Sequence, residues 1–587
     1  MSYLAICFIF SFYLNIQVIM FISNPTVVDV FCGAGGFSEG FRQQGFHIIK
    51  GYDNSGPAIE TYNHNFHLNL ETKNVLDFQS SVEEIHAIPD TTVILGSPPC
   101  VSFSNSNKSG KADKSMGLKL TEAFLRIVAV KKFKSESILK AWFMENVPNS
   151  LKYIKEQYTF RDLDLSEWAL SIGKKPEEIA IKIAGNSKVI NSADYGSPQV
   201  RKRAITGEII SKRGIVIPFP THCTPKKKSD LPGYRTLSEI RAALPSPFSY
   251  RPKKLVTDPS YDIAIPHAQL SDQFYDTGLF ECEWKNSQFL KVNHPYMGRM
   301  SFPEKESSPS RTICATNIGT SRESIIYKSE FSRVGNGEYR THTVREAATL
   351  MGFPITYQFC GAETSKLRLV GNAVCPSVSR AFAKIVRKEL GLQRIINPNV
   401  CKEANLEGVN NLNSPLIKSF ETPPRKNKGS RFRRHPFKYG NITVTLSNYD
   451  ITNKGSATNW ITSVQYGNGD GYPSENYPDN FFEQLENVIA DFEQGTKFIE
   501  TINNGFSERI ANGKTLQEMY ETRRTQQSLL QPTDLIEEVA SIIDGFTFKD
   551  PDFKQNGSVF FNHKAVVPKK QVMALYAINK ISSIANK

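Results

Sequence analysis

The sequence predicts an α/β protein built on a parallel, doubly wound sheet. Two observations carry this. Short apolar runs that read as buried strands alternate with longer helix-like segments over the first two hundred residues. The first of these runs ends in a glycine-rich turn that opens a helix.

In order, residues 26–31 read as a buried strand, and Cys32-Gly33-Ala34-Gly35-Gly36 as the turn, with a helix beginning at Phe37. Residues 46–52 form a second strand. Residues 57–66 form a helix whose Pro57 suits a first turn. Strand and helix go on alternating through 92–96, 118–132, 141–145, 176–184, 188–192 and 204–210. The pattern breaks near residue 212. Residues 213–335, rich in Pro, Ser, Lys and Tyr, read as a separate irregular domain with some β-structure, and helical pattern returns at 343–351 and 376–390.

At 587 residues the chain exceeds one core, and roughly three or four domains are expected. The formal charge of +13 suits a polyanionic partner. Nine cysteines without CxxC spacing argue against a zinc ribbon or a disulfide framework, so no metal is expected and a reducing, cytoplasmic setting is. Residues 3–22 carry no charge and could span a bilayer, but the first strand begins only a few residues after Ile22 and the first basic residue is Arg42. An over-extended start ahead of Met20, or an extra strand or helix, is expected there instead of a membrane anchor. Between residues 422 and 449 stand Arg425, Lys426, Lys428, Arg431, Arg433, Arg434 and Lys438 with interleaved aromatics and no acid, which fits either a nucleic-acid contact or a solvated linker. Residues 478–545 read as helical.

Two stretches carry chemistry. Asp29-Val30-Phe31-Cys32-Gly33-Ala34-Gly35-Gly36 puts small residues where a backbone turns sharply and meets a ligand closely. Asp53, ending the second strand, can accept from ribose hydroxyls. Phe37 and Ser38 follow Gly36, so this is not the pyrophosphate fingerprint, and an adenosine ligand without phosphate fits better than a dinucleotide. In the second stretch, Gly96-Ser97-Pro98-Pro99-Cys100, two prolines end a buried strand and leave a thiol at its carboxyl end, the edge where open α/β sheets bind ligands.

These residues resemble the DNA cytosine-5 methyltransferases of bacterial restriction-modification type. The resemblance runs in order through Asp29 to Phe41, Ser97 to Cys100, Met144-Glu145-Asn146-Val147, Gln199-Val200-Arg201-Lys202-Arg203, Arg345-Glu346 and Gly371-Asn372-Ala373-Val374. It implies a methyltransferase (Rossmann-like) sheet that uses S-adenosylmethionine, with a smaller target-recognition domain and an additional C-terminal region. The implied division is an apolar extension at 1–24, a catalytic and cofactor-binding domain at 25–212, target recognition at 213–365, a return segment at 366–395 and an accessory region at 396–587.

The resemblance also implies roles. Phe31, Gly33, Gly35, Asp53, Asn54, Asn74, Leu120, Asn372 and Val374 would hold the cofactor. Asn54 stands where the family often has an aromatic, and Asn74 where an aspartate is usual. Cys100 would add as thiolate to carbon 6 of cytosine, in surroundings that lower its pKa. Glu145, raised in pKa by burial, would bind or protonate ring nitrogen 3, and Arg203 with Arg201 would hold the position-2 carbonyl. The base must be flipped out of duplex DNA. Gln199, Thr312 and Ile313 would serve DNA recognition, and a restriction endonuclease is the expected functional partner. An amino-group methyltransferase would carry an aromatic in place of Cys100. A tRNA cytosine-5 methyltransferase would have a shorter recognition region, and a non-catalytic DNA-binding regulator would not need Cys100, Glu145 and Arg203 together.

Overall fold

The structure, a computed structural model, describes residues 25–99, 103, 114–224, 230–293, 299–315, 319, 321–420, 433–439, 442–449, 458–466, 474–476, 480–523, 525–526, 528–554, 561 and 565–587. They form two compact units, divided between Lys418 and Ser419.

The first unit is organised on strands β1 (Thr26–Val30), β2 (His47–Tyr52), β3 (Val93–Gly96), β4 (Ala141–Asn146), β5 (Gln157–Thr159), β6 (Ile179–Lys182), β7 (Ser187–Asn191) and β8 (Lys202–Ile209). Six of them make one sheet in the order β2-β1-β3-β4-β8-β7. The first four run parallel, while β8 and β7 are antiparallel additions. Strand residues alternate between faces. Val27, Leu95 and Phe143 enter one core with Phe41 and Phe382, and Val28, Ile94 and Trp142 enter the other with Phe124 and Ile127. Burial on both faces is why these strands read as unbroken apolar runs.

Helices α1 (Gly36–Arg42) and α2 (Gly56–Phe66) follow β1 and β2, and α3 (Ser115–Phe133) precedes β4. Late in the chain come α4 (Val344–Met351), α5 (Glu363–Asn372) and α6 (Pro376–Glu389). α6 lies directly on α1. A Cβ on Gly40 would stand 2.4 Å from the backbone nitrogen of Arg380, and Ser379 Oγ donates to the Phe37 carbonyl.

Three expectations need correction. Alternation does not continue through 176–184, because β6 is a strand paired antiparallel with β5. Residues 213–335 do not form the separate domain expected of them. They fall within the first unit, where Leu237, Ile265 and Ile325 share the core of Phe37 and Phe41 with Val344 and Phe353 from later in the chain. Residues 396–418 do not open the accessory region. They run across the first unit, where Asn413 Oδ1 accepts from the Gln273 and Phe274 nitrogens and Lys366 Nζ donates to the Asn410 carbonyl.

In the second unit, strands Arg434–Tyr439, Ile442–Tyr449, Asn459–Tyr466 and Ser474–Asn476 form an antiparallel sheet that packs on helix Lys569–Ala585, burying Val444, Leu446, Trp460, Leu575 and Ile578. Helices Asn480–Ala490, Gly495–Thr501, Gly513–Thr522 and Pro532–Asp544 occupy the stretch that read as helical. Of the basic run, Arg425, Lys426, Lys428 and Arg431 lie outside the described residues, as does the apolar stretch 1–24. Arg434 and Lys438 project from a strand whose His435 and Phe437 are buried. Among the described residues no helix is long and apolar enough to cross a membrane.

Candidate functional site

β2 departs to one side of β1 and β3 to the other, so the carboxyl ends of β1 and β3 flank the crevice where an open sheet reverses its winding. Both motif stretches leave the sheet there.

At the end of β1 the backbone turns through left-handed conformations at Phe31 (φ 61°), Gly33 (φ 50°) and Gly35 (φ 79°). Asp53 braces the turn from the end of β2. Its Oδ2 accepts from the Gly33 nitrogen at 3.0 Å and its Oδ1 from the Ser55 nitrogen at 2.9 Å. Burial raises its pKa against these bonds. The glycines differ in what surrounds them. A Cβ on Gly35 would stand 2.6 Å from the Phe66 ring and 2.7 Å from the Tyr357 hydroxyl, and one on Gly36 would stand 2.2 Å from the Val374 carbonyl oxygen, whereas one on Gly33 would meet nothing within 4 Å among the described residues. Gly35 and Gly36 are needed for packing, and Gly33 faces open space. Val374 is thereby brought to the turn.

The remaining expected cofactor contacts are looser. Asn54 is exposed next to Asp53, Asn372 is exposed at the end of α5, and Leu120 is half-buried on α3. Asn74, also exposed, uses its carbonyl to accept from the Leu76 nitrogen at 3.1 Å, capping a short helical turn. A carbonyl has a second lone pair for another donor.

The sequence reading did not single out Asp29 as a site residue. It is 1% exposed, accepts from Ser38 Oγ at 2.7 Å through Oδ2, and has no hydrogen-bond partner for Oδ1 among the described residues. Burial, the largest cause, pushes its pKa up to about 7, the Ser38 hydroxyl opposes the rise, and the Asp53 charge adds to it. The available signal was an acid inside an apolar strand run.

At the end of β3, Cys100 lies outside the described residues. The residues leading to it are held firmly. The Ser97 nitrogen donates to the Val30 carbonyl at 3.1 Å, and Asn146 Nδ2 donates to the Pro98 carbonyl at 3.2 Å. The β3–β4 register pairs Gly96 with Met144, so the next residues, Ser97 and Glu145, are neighbours. Ser97 Oγ donates to Glu145 Oε2 at 2.7 Å. In turn β4 pairs Glu145 with Ile205 of β8, which puts Arg203, two residues away, on the same face. Arg203 Nε lies 2.9 Å from Glu145 Oε1. This contact is an ion pair off the axis of a hydrogen bond, and Oε1, although buried, accepts no hydrogen bond among the described residues. Both groups line a small cavity with Ile190, Ser192, Val374 and Cys375.

Three expected site residues are corrected. The Arg201 side chain is buried and engages three main-chain carbonyls, those of Ile313 (3.0 Å), Gly371 (2.8 Å) and Ala373 (3.1 Å). It fastens the return segment to the sheet, and Arg201 also lines the cavity beside Glu145 and Arg203. Gln199 is fully buried. Its Nε2 donates to the Leu350 carbonyl and its Oε1 accepts from the Ile313 nitrogen at 2.8 Å. Ile313 packs in the core. Gln199 and Ile313 therefore hold the 310–313 segment, bridged at Ser310 to Gln199, within the first unit, with both side chains buried. Thr312, between half-buried Arg311 and buried Ile313, is half-exposed and donates to the Val200 carbonyl at 2.9 Å.

A family model described as C-5 cytosine-specific DNA methylase matches residues 25–388. Type II methyltransferase M1.HphI of Haemophilus parahaemolyticus is 26% identical over 380 residues, covering 63% of this chain and 88% of its own. Type II methyltransferase M.AplI of Arthrospira platensis is 27% identical over 370 residues, covering 63% and 87%. Type II methyltransferase M.DdeI of Desulfomicrobium norvegicum is 24% identical over 429 residues, covering 66% and 96%.

Proposed function

The chain belongs to the C-5 cytosine-specific DNA methylases, and from that premise we propose that it methylates a flipped cytosine within a specific duplex sequence, using S-adenosylmethionine and a covalent Cys100 adduct. The observation that carries this reading is the meeting of Ser97, Glu145 and Arg203 from three chain segments at the exit to Cys100.

The turn after β1 fits the cofactor by two tests. Among the described residues, Gly33 leaves open space where any other side chain would intrude, and Asp29 keeps a buried carboxyl oxygen without a hydrogen-bond partner. Phe31, Gly33, Asp53 and Val374 would hold the cofactor, with Asn54, Asn74, Leu120 and Asn372 at its margins. S-adenosylmethionine, when bound, supplies an electrophilic methyl group.

The protein's own part is to make carbon 5 of cytosine nucleophilic. The Cys100 thiolate adds to carbon 6 while Glu145 Oε1, which accepts no hydrogen bond among the described residues, binds or protonates ring nitrogen 3. Arg203 stabilises charge on the adjoining carbonyl. Once carbon 5 carries the methyl group, its proton leaves, the electron pair reforms the ring double bond, and the thiolate is expelled.

The similarity to type II methyltransferases supports a protective role beside a restriction endonuclease in the cytoplasm. Bisulfite sequencing of DNA from cells expressing the protein tests product and target site together. Methylated cytosines in one recurring sequence are expected, and Cys100→Ser should abolish them. A Cys100→Ser protein that still methylates would overturn the covalent mechanism. A second check is a covalent adduct with duplex DNA carrying 5-fluorocytosine, where no proton can leave.

A further inference from the structure

We propose that Ser97 is a positioning residue for Glu145, selecting which carboxyl oxygen meets the cytosine; this rests on the role proposed for Glu145. Its hydroxyl is 2.7 Å from Oε2, whereas Oε1 is buried beside Arg203 and accepts no hydrogen bond among the described residues. A free carboxyl can rotate about its last torsion and exchange its two oxygens, because that torsion is broad and two-fold. A single hydroxyl on Oε2 removes that freedom and leaves Oε1 as the oxygen with open capacity.

The placement of Ser97 gives the contact a second consequence. It is three residues before Cys100, its nitrogen is tied to the Val30 carbonyl of β1, and the next residue's carbonyl is held by Asn146 of β4. One short segment thus carries the approach to the nucleophile and orients the acid on the neighbouring strand. A hydroxyl also suits both states of the carboxyl. It donates to the carboxylate, and its lone pairs can accept a hydrogen bond from the acid form. Alanine removes both capacities, and threonine keeps them.

The test is steady-state methylation of a duplex containing the target site by the full-length protein and its Ser97→Ala and Ser97→Thr variants, with kcat measured across pH 5.5–9. The expected result is a kcat lowered about tenfold in Ser97→Ala, KM for DNA little changed, a displaced limb of the kcat–pH profile, and recovery in Ser97→Thr. In a Glu145→Gln background, Ser97→Ala should cost nothing further, because it acts through that carboxyl. Thermal unfolding run alongside separates misfolding from mispositioning. A Ser97→Ala profile that superimposes on the unmodified protein's, or an equal loss in the Glu145→Gln background, would refute the proposal. If the unmodified protein were itself inactive on every duplex, the reading of the function would fail instead.

Discussion

Gly33 and Gly35 stand two residues apart in one turn, both left-handed, yet replacing each by alanine should do opposite things. Alanine at a left-handed position costs ~1 kcal/mol at either site. At Gly35 the new methyl also meets the Phe66 ring at 2.6 Å, the Tyr357 hydroxyl at 2.7 Å and the Tyr62 ring at 3.1 Å. Overpacking of that kind adds ~1–3 kcal/mol, so Gly35→Ala should lose about 2–4 kcal/mol in all. At Gly33 nothing among the described residues lies within 4 Å, so Gly33→Ala should lose only the backbone cost and fold almost normally. Its methyl group instead occupies space assigned to the cofactor, and an affinity loss of tenfold or more, ~1.4 kcal/mol, is expected. Denaturant unfolding measures the first quantity, and calorimetric titration with S-adenosylmethionine or its demethylated product measures the second. If Gly33→Ala bound the cofactor within twofold of the unmodified protein, or if the two variants were equally stable, the division of the turn into a packing glycine and a ligand-facing glycine would be wrong.

Three further outcomes follow from the same geometry. Arg201→Met strands three buried carbonyls and should lower stability by ~3 kcal/mol or more, read as a shifted denaturant midpoint; a stable but inactive variant would instead favour direct contact with substrate. Glu145→Gln should lower kcat by about 100-fold or more with duplex affinity in a gel-shift assay nearly unchanged, and near-normal turnover would exclude Glu145 from the chemistry. Asp29 predicts a pH effect in the cofactor-free protein. Its pKa rises from 3.8 to about 7 on folding, so the native state keeps a proton that the unfolded chain has lost. That stabilisation is complete below pH 3.8 and disappears as pH rises through about 7, on the order of 4 kcal/mol in all at ~1.4 kcal/mol per pH unit. Asp29→Asn, which does not titrate, should therefore gain stability relative to the unmodified protein between pH 5 and 8, whereas parallel stability curves would show that Asp29 is ionised throughout.

The parts legible in the sequence were those governed by local rules. Apolar runs buried on both faces marked β1, β3 and β4, the glycines marked the turn after β1, and the order of short motifs identified the family. Residues 176–184 were misread because a four-residue strand in an antiparallel pair leaves too little pattern to separate from a helical turn. The extent of the first unit was also not legible, since no local signal tells that α4 joins the core beside α1, or that the irregular stretch 396–418 runs back across the same unit.

By itself the sequence determined the fold class, the glycine turn after β1 with Asp53 nearby, and the identities of Cys100, Glu145 and Arg203 as candidates, because each depends on residue type and near neighbours. Only the tertiary structure decided what those side chains face. Gln199, Arg201 and Arg203 lie within five residues of one another, yet burial commits the first two to main-chain partners and leaves Arg203 beside Glu145. Ser97 and Glu145, 48 residues apart, meet because strand register aligns Gly96 with Met144. Register and burial arise from the packing of the whole sheet, so no stretch of sequence read alone contains them.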